Sequence, residues 1–275
     1  MGLLDGKRAL VSGVTNRTSI AWGIAEALHR QGARIALTCL EGNLRRVRKL
    51  GPLVQAEGIL PCDVRNEEEV EELFTRVGEL YQGRLDILVH SLAYADFADL
   101  GEAFLQLRRE GWHTAIDVSA YSFVSMTRQA FPLMKASGGG SIMTLTYAGG
   151  EVVAPGYNVM AVAKAALEIS VLYLAYELGP EKIRVNALSP GPIATPSAVV
   201  VEDFAAALHR YEIRSPLLRA ITLEDIGGTA VYLASELSSG VTGTILKVDG
   251  GMHCVAPFAD VHKAVRRSEK EEQGV

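Results

Sequence analysis

Cysteine is scarce in this chain: three residues in 275, Cys39, Cys62 and Cys254, odd in number and far apart. Such a set builds neither a disulfide framework nor a metal cluster. Burial as small apolar side chains, in a reducing cytoplasm, is the expectation. Unbroken apolar runs are also missing, and no stretch approaches the roughly eighteen residues of a membrane-spanning helix. Met1 to Lys7 lack the basic segment, apolar run and small-residue cleavage site of a signal peptide. Positive charge is not in excess: 27 Lys and Arg against 32 Asp and Glu, well mixed, leave a net −5. That balance argues against nucleic acid and for a small molecule as partner. No internal repeat and no Pro/Ser-rich linker divides the chain, and an α/β fold of this length commonly forms one domain.

What is present is alternation. Short β-rich runs occur at Arg8–Ser12, Ala33–Thr38, Gly58–Cys62, Leu85–Ser91, Ser141–Thr146, Ile183–Leu188 and Thr244–Val248. Between them lie helical stretches, with apolar Ile20, Ile24, Ala27 and Leu28 on one face, Ile116, Ala120, Phe123, Val124 and Phe131 on another, and a long helix from Tyr157 to Leu178. Asn66, followed by three glutamates, reads as a capped helix start. Leu85–Ser91 is almost wholly apolar, as a strand buried on both faces should be. The pattern predicts a doubly wound (Rossmann), mostly parallel, seven-stranded sheet with helices on both faces. We expect a single domain over 1–257, with a substrate lid around 193–215, and a charged, disordered tail over 258–275.

In such a sheet a ligand sits beyond the carboxyl ends of the strands, where strand order reverses. Three strand ends carry suitable residues. After the first strand, Gly13 permits a tight turn, and Ser19, Ile20 and Ala21 let a helix begin close to a pyrophosphate. Asp63 and Val64 follow the third strand, where a carboxylate can accept from an adenine amino group. Ser91 and Leu92 end the fourth, where ribose or nicotinamide would pass; His90 reads as a satisfied, partly buried histidine. The second strand ends Thr38-Cys39-Leu40-Glu41, and an acid there favours the free 2′-hydroxyl of NADH over a 2′-phosphate. Arg45, Arg46 and Arg48 lie close in sequence, so NADPH remains open.

Tyr157 and Lys164 stand seven residues apart, two helical turns or roughly 10.5 Å of rise, on one face. A lysine side chain leans toward the helix N-terminus, so its ammonium can approach the phenol and lower its pKa from about 10, while also holding ribose hydroxyls. Tyr147, just after the fifth strand, falls inside the same cleft, with packing and chemistry equally open to it.

From residue 2 to 255 the chain resembles the short-chain dehydrogenase/reductase family, with Arg184-Val185-Asn186-Ala187-Leu188-Ser189-Pro190-Gly191-Pro192-Ile193 as a further signature. Two features depart from the common family pattern: Ala161 occupies the usual lysine position, and Tyr147 stands near the place of the family's serine. The Tyr147, Tyr157, Lys164 spacing, with Tyr157-Asn158-Val159-Met160 and Ser19-Ile20-Ala21-Trp22-Gly23, is instead similar to bacterial enoyl-acyl-carrier-protein reductase of the short-chain type. That resemblance implies reduction of a trans-2-enoyl thioester by NADH in fatty acid synthesis. It also implies Tyr157 as donor to the thioester carbonyl, Lys164 as cofactor holder, and Ile193 and Thr195 beside the nicotinamide. Ala95, Tyr147, Met160 and Phe204 would line the acyl slot, and a homotetramer is implied, with helices from Ile116 and Tyr157 at the interfaces. The lid often bears basic residues in this subgroup. Here Val201-Glu202-Asp203-Phe204-Ala205-Ala206-Ala207 is acidic and then neutral, and Ala194 replaces a frequent base. Those changes count against docking of an acidic carrier protein and admit a coenzyme A thioester or an unrelated enone. The rival readings are a carbonyl reductase or alcohol dehydrogenase of the same fold, and a catalytically silent cofactor-sensing binding protein.

Overall fold

The computed structural model describes residues 2–100, 103–195 and 204–256. In chain order the elements are β1 (Arg8–Ser12), α1 (Ile20–Arg30), β2 (Arg34–Cys39), α2 (Glu41–Leu50), β3 (Gly58–Pro61), α3 (Glu67–Leu80), β4 (Ile87–His90), α4 (Arg109–Ile116), α5 (Ser122–Ala136), β5 (Gly140–Leu145), α6 (Asn158–Leu178), β6 (Ile183–Pro190), α7 (Phe204–Arg214), α8 (Leu223–Ala234) and β7 (Ile245–Val248). All seven strands pair in parallel, in the order β3-β2-β1-β4-β5-β6-β7. The order reverses between β1 and β4, which puts the ligand crevice of a doubly wound sheet beyond Ser12 and His90. The expected fold class is the one observed, with no antiparallel strand in the sheet.

Strand alternation sends side chains to two cores. Ala9 and Val11 of β1 and Ile87 and Val89 of β4 pack with Trp22, Ile24, Leu28, Val47 and Ile226 from α1, α2 and α8. Leu10 and Leu88, one residue out of phase, join Phe74, Phe123, Met126, Leu167 and Val171 from α3, α5 and α6 on the other face. Local sequence sets the helix starts. The Ser19 hydroxyl accepts from Trp22 N–H to begin α1, Asn66 caps α3 through Glu68 N–H, and Thr222 and Asp225 form a reciprocal capping box on α8.

The structure differs from the sequence expectation in several places. Helices α2 and α8 were not anticipated. The stretch read as one helix from Ile116 to Phe131 is α4 and α5 joined by a π-helical turn at Asp117–Tyr121. Helix α6 begins at Asn158, leaving Tyr157 as its cap residue, with Asn158 at φ +38° between them. Over Asn158–Glu181 this segment is long and apolar enough, at mean hydropathy 1.6, to cross a membrane by length and composition alone. Its Lys164 and Glu168 are buried against the rest of the fold, which is the placement of a core helix. Cys39 and Cys62 are buried as expected, but Cys254 is exposed, in the turn after β7. The tail over 258–275 lies outside the described residues.

Candidate active site

Two of the three expected cofactor positions converge. Gly13 has φ +84°, and a Cβ there would stand 2.0 Å from the Ser91 carbonyl oxygen; only glycine lets the β1–α1 loop lie this close to the end of β4. The Ser12 hydroxyl ties the same two strand ends, donating to Val89 O at 2.8 Å and accepting from Ser91 N–H at 3.2 Å. Leu92 lies against Gly13 as well, with Cδ2 at 3.3 Å from that ideal Cβ. Ser19 and Ile20 open α1, whose first turn carries no acid, whereas α2 and α3 begin with Glu41 and with Glu67, Glu68 and Glu69. A pyrophosphate fits at α1 and is repelled at the other two starts.

The third position is changed. The Asp63 carboxylate forms a forked ion pair with Arg65, Nη2 to Oδ2 at 2.5 Å, and this pairing holds its carboxyl below the usual range. An adenine amino group must therefore share that carboxylate with a guanidinium or use the nearby backbone. Val64 is half-buried against the second core. On the opposite side of the crevice, Ile193 packs on the first core and Thr195 N–H bonds Ile193 O at 2.7 Å.

Tyr147 and Tyr157 meet edge to face, ring centroids 5.2 Å apart at 71°. The turn Ala148–Gly150 brings them together, because a Cβ on Gly149 would stand 2.6 Å from Tyr157 Cδ1 and 3.1 Å from Tyr147 Cδ1. Burial pushes both phenols up in pKa, and Tyr147 and Glu168 push Tyr157 further in the same direction. Lys164 is wholly enclosed, its ammonium donating to Leu145 O at 2.7 Å, and burial lowers it to about 8. The expectation that Lys164 depresses the Tyr157 phenol is thus corrected: desolvation dominates, and the phenol stays protonated through the neutral range.

Glu168 and Tyr211 carry no expectation from the sequence, and His90 departs in part from its own. Glu168, one turn after Lys164, is buried and accepts from Thr146 Oγ1 at 2.5 Å; its i+4 spacing from Lys164 was the available signal. His90 is fully rather than partly buried, bonded to Thr144 Oγ1 at 2.9 Å and Ser122 Oγ at 2.8 Å, and desolvation lowers it to about 3. Tyr211 on α7 donates to Asp249 O and fills the space beside Gly191.

Met160 is buried beside Ser119 and Ala95 is half-buried after β4. Phe204 opens α7, but its side chain, like Val201, Glu202 and Asp203 of the expected lid, lies outside the described residues.

This arrangement has known counterparts. The family model described as Enoyl-(Acyl carrier protein) reductase matches residues 13–253. The chain belongs to that family. An NADH enoyl-acyl-carrier-protein reductase of Nostoc is 46% identical over 252 residues, covering 90% of this chain and 96% of the relative. The enoyl-acyl-carrier-protein reductase of Anaplasma phagocytophilum, solved in complex with NAD, superposes with a TM-score of 0.90 at 43% identity, covering 94% and 98% of the two chains. The Bacillus cereus reductase, solved with NADP+ and an indole naphthyridinone, gives 0.90 at 45% identity, covering 93% and 100%. The chain is an oxidoreductase of that family.

Proposed function

We propose that this chain reduces the 2,3 double bond of a trans-2-enoyl-acyl-carrier-protein thioester in fatty acid synthesis, with NADH as reductant. The observation that carries the reading is the Tyr147–Tyr157 edge-to-face pair past the end of β5, the strand whose last carbonyl, Leu145 O, holds the buried Lys164. NADH, when bound, supplies hydride to the β-carbon. As that bond forms, negative charge collects on the thioester oxygen, and the Tyr157 hydroxyl donates to it. A half-buried, protonated phenol suits that role, since a donor must keep its proton until charge appears. Lys164 has three N–H donors, and with one on Leu145 O two remain for ribose hydroxyls. Tyr147, with Met160 and Ala95, lines the acyl slot, and Tyr147 holds the Tyr157 ring from its edge.

Gly13, Ser19, Ile20, Ser91, Leu92, Ile193 and Thr195 hold the cofactor, with Asp63 and Val64 flanking the adenine. Glu41 is the first residue of α2, directly past β2, and Thr38 of that strand accepts from Gly13 N–H at 3.2 Å, so an exposed acid borders the adenosine ribose and favours NADH over NADPH. Arg210, exposed on α7, supplies a base for an acidic carrier beyond the stretch at 201–207 that lacks one. Ile169, Leu172, Tyr173 and Tyr176 form an exposed apolar face on α6 that fits a homotetramer interface, whereas Val171 of the same helix is buried in the core.

Turnover of the purified chain with crotonyl thioesters of carrier protein and coenzyme A, and with simple ketones, tests the reading. Enoyl thioester reduction with NADH, fastest on carrier protein, is expected. Ketone reduction alone would make it a carbonyl reductase, and cofactor binding without turnover a silent binder. Its native mass should be four times that of one chain.

A further inference from the structure

Glu168 is a buried acid on the helix that carries Lys164, and substrate and cofactor binding as described above do not use it. Glu168 lies one helical turn beyond Lys164 on α6, on the same face. It is 8% exposed, and its carboxylate accepts from the Thr146 hydroxyl at 2.5 Å. Thr146 adjoins Leu145, whose carbonyl holds the Lys164 ammonium at 2.7 Å, so one strand end fixes both members of the pair. Gly150 makes room for them: a Cβ there would stand 3.1 Å from Glu168 Oε1 and 3.2 Å from the Lys164 carbonyl carbon.

We propose that Glu168 is a positioning residue for Lys164, its enclosed carboxylate keeping the neighbouring ammonium charged and aimed along the end of β5 toward the cofactor ribose. This rests on the cofactor-holding role given to Lys164 above. An enclosed ammonium without an opposite charge loses its proton rather than stay charged. Burial drives Lys164 down to about 8, and Glu168 is the charge that opposes the fall; burial also pushes the Glu168 carboxyl up, and the Thr146 hydrogen bond with the Lys247 and Lys164 charges pulls it back toward the ionised form. Other titratable groups face the pair from each side. His90 on β4 is uncharged at neutral pH, Tyr147 and Tyr157 keep their protons, and Glu151, ahead of α6, pairs with Lys247 of β7 at the outer side of Glu168. None of these replaces the Glu168 charge next to Lys164.

The test is NADH affinity of the full chain, by fluorescence titration from about pH 6 to about pH 10. In the wild type the affinity falls through about pH 8, as Lys164 loses its proton. Glu168→Gln keeps the shape and removes the charge, so the fall moves down by about one pH unit, leaving binding on the order of fivefold weaker than wild type at the original midpoint. Glu168→Asp, which keeps the charge, retains most of the wild-type profile. Thr146→Val leaves the carboxylate but strips its hydrogen bond, and shifts the profile in the same direction by less. Coincident profiles for wild type and Glu168→Gln would overturn the proposal, as would an Asp variant displaced as far as the Gln variant. If Glu168→Gln does not fold, an unshifted Thr146→Val profile overturns it. A wild type that binds NADH with this profile yet reduces no enoyl thioester refutes the functional reading instead, and leaves the binding comparison to decide the role of Glu168.

Discussion

Gly149→Ala places one methyl group against the paired tyrosines. The new Cβ would stand 2.6 Å from Tyr157 Cδ1, 3.0 Å from its Cε1 and 3.1 Å from Tyr147 Cδ1. Carbon atoms rest at about 3.5–4.0 Å, so the Tyr157 ring must withdraw by about 1 Å. Tyr147 lies only 5.2 Å away centroid to centroid and blocks part of the retreat. Gly149 does not occupy the left-handed region, so alanine brings no backbone strain and the effect is one of ring position. Overpacking of this kind costs about 1–3 kcal/mol of stability. A reacting group displaced by about 1 Å costs up to roughly 100-fold in rate. We expect kcat for a crotonyl thioester to fall by one to two orders of magnitude while NADH affinity changes far less. Steady-state kinetics, NADH titration and thermal unfolding on the same preparation separate these effects. A stable Gly149→Ala enzyme with wild-type kcat would show that the placement of the Tyr157 ring does not set the rate.

Four further outcomes follow from the same geometry. Lys164→Ala should weaken NADH binding as well as kcat, and a variant that titrates normally with NADH contradicts its ribose contact. Tyr147→Phe should raise the KM for thioester more than it lowers kcat; a loss as large as that of Tyr157→Phe would make Tyr147 the principal donor. For His90, lowered to about 3 from 6.5, stability is undiminished above about pH 6.5 and falls as pH drops toward 3, because the unfolded chain takes the proton first; urea unfolding at pH 5 should show about 2 kcal/mol less stability than at pH 7, and less of a difference in His90→Gln. Tyr211→Phe removes the bond to Asp249 O that fastens α7 beside Gly191, with about 1 kcal/mol lost on unfolding and a higher thioester KM; no change in either would leave α7 held by other contacts.

Local signals carried much of the architecture. The β-rich run at Arg8–Ser12 marks β1 to the residue, and the apolar face beginning at Ile20 marks the start of α1, because strand hydrophobicity and helical periodicity are short-range. Helix α2 was missed because its buried stripe, Leu44, Val47 and Leu50, is threaded through five charged residues. Helix α8 was missed although Thr222 and Asp225 have capping-box spacing. The site was legible in its residue types and not in its partnerships. Gly13 and Ser91 are legible from their places at strand ends, and Tyr157 and Lys164 from their two-turn spacing on one helix. That Lys164 would turn to Leu145 O, that Asp63 would be held by Arg65, and that Tyr147 would lie edge-on to Tyr157 across Gly149 depend on how β5 seats against α6 and how the intervening turn folds. No periodicity encodes those contacts. Tyr211 and Asp249 are distant in sequence and join only once α7 lies over the ends of β6 and β7.

If the half-buried, protonated Tyr157 stabilises charge on the substrate carbonyl, losing its hydroxyl slows turnover and spares cofactor binding. Wild type and Tyr157→Phe are assayed for NADH oxidation by a crotonyl thioester at saturating cofactor. Loss of one such donor costs about 2.7–4 kcal/mol, so kcat should drop by roughly two to three orders of magnitude with NADH affinity nearly unchanged. A Tyr157→Phe enzyme that turns over at the wild-type rate would contradict the account.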